Sequence, residues 1–287
     1  MGVLAQRTAR RRKLGSELKS LREAADISVE RAAQRIHGDN SKMSRLEKGR
    51  QRITRLELEA LLELYGVEDT RLREGLTALS TEARRRSWWR QYGDILHPGF
   101  QEALSMESDA EQICTFEPQL ISGLLQTKAY ATAVISQISP WLDEDELASH
   151  VSVRLARQEI FEKERPPHYV CIMAEAALRQ EVGGRKVMAE QLRHIHDMSK
   201  PPRRTIQVLP YSQGAHVGLM GAFIMYSYPD PMDLDVVNVE YLDGSLCLEE
   251  DAPVKRYRMA FDQLRSSALS TRQSMNLISD IARDLDS

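Results

Sequence analysis

The sequence predicts an all-α domain of five short helices followed by an α+β domain with a small, mostly antiparallel sheet. Three observations carry this. Apolar residues recur at helical spacing through the first 80 positions, with turns of only two to five residues between the runs. After "ERPP" (164–167) the period changes to short runs rich in Val, Ile, Tyr and Phe. The charge is also divided, with a basic start on an acidic body: residues 1–54 carry 14 Lys and Arg against 6 Asp and Glu, the remainder 25 against 36. The expected domains are residues 1–82 and 83–287.

Leu14, Leu18, Leu21 and Ala25 lie on one face of a first helix. Asp26 and Ile27 break the pattern, and Ser28 can cap a second helix with Ala32, Ala33 and Ile36 inward. Its fourth position is Arg31, so the reciprocal acid of a capping box is missing. "HGDN" (37–40) reads as a tight turn in which Gly38 supplies a positive φ and Asp39 accepts from the next helix. That third helix runs from Asn40 to Lys48, with Gly49 at its exit. Thr54 and Glu57 form a capping box for a fourth helix that turns Leu58, Leu61, Leu62 and Tyr65 inward. Leu72, Leu76 and Leu79 mark a fifth.

"TEARRRSWWRQYGDIL" (81–96) suggests a linking helix that presents Trp88, Trp89 and Tyr92. Helical patterns continue through "PQLISGLLQTKAYATAVISQI" (118–138) and from Asp143 to Glu164. Strands are expected at "HYVCIM", "RTIQVLP", "GAFIMYSY", "VVNVEYL" and "GSLCLEE", with an Asp243-Gly244 hairpin turn between the last two. "KVMAEQLRHIHDMS" (186–199) and the last 35 residues read as helices. The apolar 118–138 stretch and the Trp88–Tyr92 segment are candidate contact surfaces.

The composition, 42% hydrophobic and 28% charged, is that of an ordinary globular chain. No apolar run approaches the roughly 18 residues of a membrane span, and the basic start lacks the apolar stretch of a secretory signal. Cys114, Cys171 and Cys247 are odd in number and far apart, which fits unpaired thiols in a reducing cytosol. A cytoplasmic, nucleoid-associated protein is expected. A basic block on an acidic body is the electrostatic footprint of a module that binds a polyanion.

Helix, tight turn and helix, with small polar and basic residues at the start of the second, is an arrangement that places a helix in the major groove. Asn40, Ser41, Lys42, Ser44 and Arg45 face outward, while Met43 and Leu46 face the core. Asn can read adenine, and Arg or Lys can read guanine, through paired hydrogen bonds. Arg50 and Arg52 are placed for phosphates. "LGSELKSLREAADIS", "VERAAQRI", "SKMSRLEKGRQRIT" and "LEALLELYGV" resemble the lambda-repressor-like, or XRE, family of helix-turn-helix regulators over about residues 14–66. The resemblance implies a buried pair between Arg22 and Glu47, and base reading by Asn40, Ser41, Lys42 and Arg45. Val29 departs from the Gln usual at the start of the second helix, and Asp26 stands where Gly is common.

"EPQLISGLLQTKAYA", "EAALRQEVGG", "QVLPYSQGAHVGLMGAFIMYSY" and "FDQLRSSALS" together resemble the C-terminal domain of actinobacterial, antitoxin-like XRE regulators of the WhiJ type. That resemblance implies a short companion protein of the BldB type. Partners expected overall are double-stranded DNA, a second copy in a homodimer, and this companion, with no membrane. Gly214, Gly218 and Gly221, with His216 among them, form a possible ligand or partner loop. They precede a strand, whereas a phosphate loop opens a helix. A small-molecule pocket around residues 214–226 is the alternative role for the second domain. Gly183-Gly184 with Arg185 and Lys186 reads as a plain helix entry. His194 and His196 are two apart and cannot share a metal from one helix face. Neither G-x-S-x-G nor H-E-x-x-H occurs. No enzyme activity, cofactor or metal is expected.

Overall fold

The computed structural model describes residues 9–80, 88–92, 96, 98–228, 235–242 and 244–287. The chain divides into two compact units, one built on the first five helices and one on a sheet with its helices. The boundary expected at 82/83 lies outside the described residues.

In the first unit α1 (Ala9–Ala24), α2 (Val29–Arg35), α3 (Asn40–Glu47), α4 (Arg55–Leu64) and α5 (Thr70–Ser80) enclose one apolar core. Leu14 and Leu18 of α1, Ala32 and Ala33 of α2, Met43 and Leu46 of α3 and Leu58, Leu61 and Leu62 of α4 are all buried in it. Each entry is fixed by a side chain. Ser28 accepts from Arg31 N, Asp39 from Lys42 N at 2.6 Å, and Thr54 and Glu57 cap α4 reciprocally. Asp26 ends α1 with φ 54°, a conformation that a short polar side chain tolerates. The α2–α3 turn corrects one expectation: His37, at φ 51°, takes the left-handed conformation, and Gly38 does not. Gly38 serves close approach instead, since a Cβ there would lie 2.7 Å from Lys42 Cδ.

α6 (Pro98–Asp109) follows, with its residues 101–106 grouped in the first unit, and β1 (Gln112–Glu117) opens the sheet of the second. Next come α7 (Lys128–Ile138), α8 (Glu144–Ala156), β2 (His168–Ala174), α9 (Glu175–Arg179), α10 (Arg185–Met198) and β3 (Arg204–Leu209). β4 (Phe223–Ser227), β5 (Asp235–Tyr241), β6 (Gly244–Leu248), α11 (Asp251–Ser267) and α12 (Thr271–Asp286) complete it. Among the described residues six strands form one sheet in the order β3-β2-β1-β4-β5-β6. It is mixed, and the mostly antiparallel sheet expected from sequence is corrected. β1, β2 and β3 are parallel neighbours, and the β1–β4, β4–β5 and β5–β6 pairs are antiparallel. Parallel pairing requires long crossovers, which α7–α8 and α9–α10 provide. β1 was not expected at all: "QICTFE" is short and lies between helical patterns. Tyr241 pairs with Gly244 in the β5–β6 hairpin, while Asp243 lies outside the described residues.

Both faces of the sheet are covered. Phe116, Ile172, Phe223, Met225 and Val237 pack under Val254, Phe261 and Leu264 of α11. On the other face Tyr169 donates its hydroxyl to Ser122 Oγ at 2.8 Å and packs edge-on against Phe161. Gln191 of α10, fully buried, accepts from Thr127 N and donates to Leu125 O, which ties the crossover to the helix beneath it. The 118–138 stretch is helical only from Lys128 apart from a short turn at Gly123–Leu125, and Tyr130, Ala131, Val134 and Ile135 are core. Trp88–Tyr92 is a 3-10 turn with Trp89 buried, and the remainder of the expected linking helix at 81–87 and 93–95 lies outside the described residues. Among the described residues no helix is long and apolar enough to cross a membrane, and no group of three side chains could hold a metal ion.

Candidate nucleic-acid interface

The α2–turn–α3 segment is positioned from behind by α1. Gly15 permits the closest approach: a Cβ on it would lie 2.5 Å from the carbonyl oxygens of Leu46 and Glu47. Arg22 of α1 then locks the end of α3. Its Nε donates to Glu47 Oε1 at 2.6 Å, its second terminal nitrogen to Oε2 at 3.3 Å, and the first to Ile27 O at 3.0 Å. The two side chains are only 9% and 8% exposed. The Glu47 hydrogen bond leads in raising Arg22 above its ordinary range, against an opposing effect of burial. One guanidinium thus fixes both the α3 terminus and the α1–α2 turn.

With Met43 and Leu46 buried, the opposite face of α3 is turned to solvent. Asn40, Ser41 and Arg45 are exposed and Ser44 is half-buried. Arg45 Nε donates to Gln51 Oε1 at 2.9 Å, which steadies the guanidinium without covering its face. Arg50 and Arg52, both exposed, follow Gly49, whose φ of 64° turns the chain out of the helix.

Lys42 differs from its neighbours. Its Nζ lies 2.5 Å from Glu57 Oε1, and the two are 23% and 19% exposed. Burial pushes the Glu57 carboxyl upward, but hydrogen bonds from Lys42 and Thr54 outweigh it and hold the group below its usual range. The sequence does not mark Gln51 or Glu57 as a site residue. Glu57 was legible only as a cap, and a contact from residue 42 to residue 57 has no local sequence signal.

The possible partner loop contains 3-10 turns at Tyr211–Gln213 and Val217–Met220. Gly214 and Gly221 have φ 68° and 126°, where glycine alone is unstrained. A Cβ on Gly218 would sit 2.3 Å from the Phe116 ring, and His216 packs edge-on against the same ring. The three glycines therefore serve two turns and one close approach. Tyr211, Leu219 and Met220 remain exposed, at 62%, 68% and 93%.

A capped helix, a tight turn and a second helix with an outward polar and basic face define a helix-turn-helix protein. Residues 13–75 match a family model described as a helix-turn-helix domain, and the first unit is a DNA-binding domain of that class. Residues 100–280 match the family described as a domain of unknown function, DUF5753; that match spans more than half of the chain, which therefore belongs to this family. No curated protein and no solved structure matches the chain.

Proposed function

We propose that this protein is a sequence-specific transcriptional regulator of the XRE type that binds DNA as a homodimer through α3. The observation that carries this is the solvent face of α3, with Asn40, Ser41, Ser44 and Arg45 on a helix anchored from behind by Arg22–Glu47. Arg45 is the principal base reader, since Gln51 holds its Nε and leaves the end of the fork for guanine. Arg50 and Arg52 take phosphates. Lys42 reads a base only by leaving Glu57. One helix spans a few base pairs, so useful affinity needs two half-sites about one helical turn apart.

The second unit has the partner role: self-association and docking of a small companion protein of the BldB type. The support is the resemblance to antitoxin-like regulators of the WhiJ type, together with the exposed Leu219 and Met220 on the Gly214–Gly221 loop. The unit performs no catalysis, and the protein acts in the cytoplasm on the nucleoid.

The test is selection of duplexes by the full-length protein from a random pool, followed by titration of the selected sequence. Arg45→Ala should lose roughly 1–3 kcal/mol of preference for that sequence over scrambled DNA. Retention of full preference would reject α3 as the reading helix. Sedimentation should show two protomers per operator, and one protomer would reject the dimer.

A further inference from the structure

From β1 the chain winds outward through β2 to β3, then returns to place β4 on the other side of β1. Open sheets with such a reversal bind ligands beyond the carboxyl ends of their parallel strands, where the connections diverge. Glu117, the last residue of β1, stands at that point. β5 runs in the same direction as β1, because two antiparallel pairings separate them. Phe116 pairs with Phe223 and Ile224 with Asn238, so the next step of the register sets Ala222 between Glu117 and Glu240 on one sheet face. A single methyl group stands between two carboxylates.

The surroundings leave both carboxyl groups without a cation partner. Thr115 Oγ1 donates to Glu117 Oε1 at 3.3 Å, but neither Glu117 nor Glu240 forms an ion pair among the described residues. Asn238, on the same face one step back along β5, is 1% exposed, and neither polar atom of its side chain has a hydrogen-bond partner among the described residues. Buried amides are normally satisfied, so an orphan of this kind points to something that binds there. Arg157 is fully engaged, with both forks on Glu107 at 2.7 and 3.0 Å. Arg154 is not: it donates to Gln126 Oε1 at 3.2 Å and forms no ion pair among the described residues. Burial and the neighbouring Arg157 draw Arg154 down to about 10, while burial and Glu240 push Glu117 up to about 8.

We infer that this face of the sheet is a binding site for a small zwitterion of the α-amino-acid type, its ammonium on Glu117, Glu240 and Asn238 Oδ1 and its carboxylate on Arg154. An ammonium has three donors, and the site offers three acceptors. A planar guanidinium is the side chain best matched to a carboxylate. Glu240 is exposed, so the site opens to solvent at its β5 side. It lies on the sheet face opposite Phe116, whereas Gly218 and His216 of the loop pack against the Phe116 ring.

Binding is measured on the full-length protein without DNA, so the result is independent of operator recognition. Each standard amino acid is titrated by thermal shift and calorimetry, with putrescine and acetate as probes that carry charge of only one sign, positive and negative respectively. At least one amino acid should bind and raise the unfolding midpoint, with putrescine and acetate far weaker. Glu117→Gln, Glu240→Gln and Arg154→Lys should each weaken it by about tenfold or more, as expected for loss of a charged hydrogen bond. Asn238→Ala, which touches no charge, should weaken it as well, and keeps the test open if a charge variant fails to fold. No response to any amino acid overturns the proposal. So does putrescine or acetate binding as tightly, or undiminished affinity in the folded variants.

Discussion

Lys42 Nζ lies 2.5 Å from Glu57 Oε1, so the third residue of α3 is held by the carboxylate that caps the next helix. Glu57 also accepts from Thr54 N at 2.8 Å, which leaves it two tasks at once. Lys42→Ala should therefore cost less operator discrimination than Arg45→Ala. Glu57→Gln keeps an oxygen for the cap and releases the ammonium toward DNA. Affinity for all duplexes should rise, and the salt dependence should steepen by about one counterion. Anisotropy titrations over a salt series read both quantities. An unchanged slope would place Lys42 away from the phosphates.

The Arg22–Glu47 pair ties α1 to the end of α3 with both side chains nearly excluded from water. Removing either partner leaves a buried charge without its mate and should cost roughly 3–5 kcal/mol of stability. Arg22→Met combined with Glu47→Leu should recover much of that loss. Recovery stays incomplete because Ile27 O also accepts from Arg22. Urea unfolding of the four proteins gives the coupling directly, and additive single effects would show that the pair contributes no interaction of its own.

The first unit was far more legible than the second, for a physical reason. Its helices are specified locally: Ser28, Asp39 and Thr54 cap within three residues, and Leu14, Leu18, Leu58 and Leu61 show their period directly. What failed there was nonlocal or subtle, as with Lys42–Glu57 and the transfer of the positive φ from Gly38 to His37. In the second unit the strand runs were visible but their partners were not. Pairing β1 with β2 joins Gln112 to His168 across two helices, and nothing local distinguishes that from a hairpin. The charged group around Glu117 was invisible for the same reason, since residues 107, 117, 154, 157 and 240 meet only once the crossovers close.

Gly15 sits inside α1, where alanine would ordinarily add about 0.5–1 kcal/mol. The sign should reverse here. A Cβ would fall 2.5 Å from two α3 carbonyl oxygens, both backbone, which cannot swing aside. Gly15→Ala should cost about 1–3 kcal/mol, the range for overpacking a close interface. Ser16→Ala, next along the helix and exposed, serves as the control and should change little. Urea midpoints compare them. A stabilised Gly15→Ala protein would show that α1 and α3 stand further apart.

Glu117 makes the stability of the second unit depend on pH. Burial and Glu240 raise its carboxyl to about 8, with Thr115, Arg154 and Arg157 pulling the other way. The folded chain keeps this proton until about pH 8, whereas the unfolded chain releases it in the ordinary carboxylate range. Between those limits the folded state binds more protons, so this group's contribution to stability falls as pH rises and levels off above about 8. Glu117→Gln cannot ionise and escapes the loss. Relative to wild type, the variant should gain little near pH 5 and progressively more up to about pH 8, then hold a constant lead. Thermal midpoints of both proteins across that range test it, the difference between them cancelling every other titrating group to first order. A difference independent of pH would mean that Glu117 ionises normally in the folded chain, and that its carboxylate is better solvated or better paired than its place between Thr115, Ala222 and Glu240 implies.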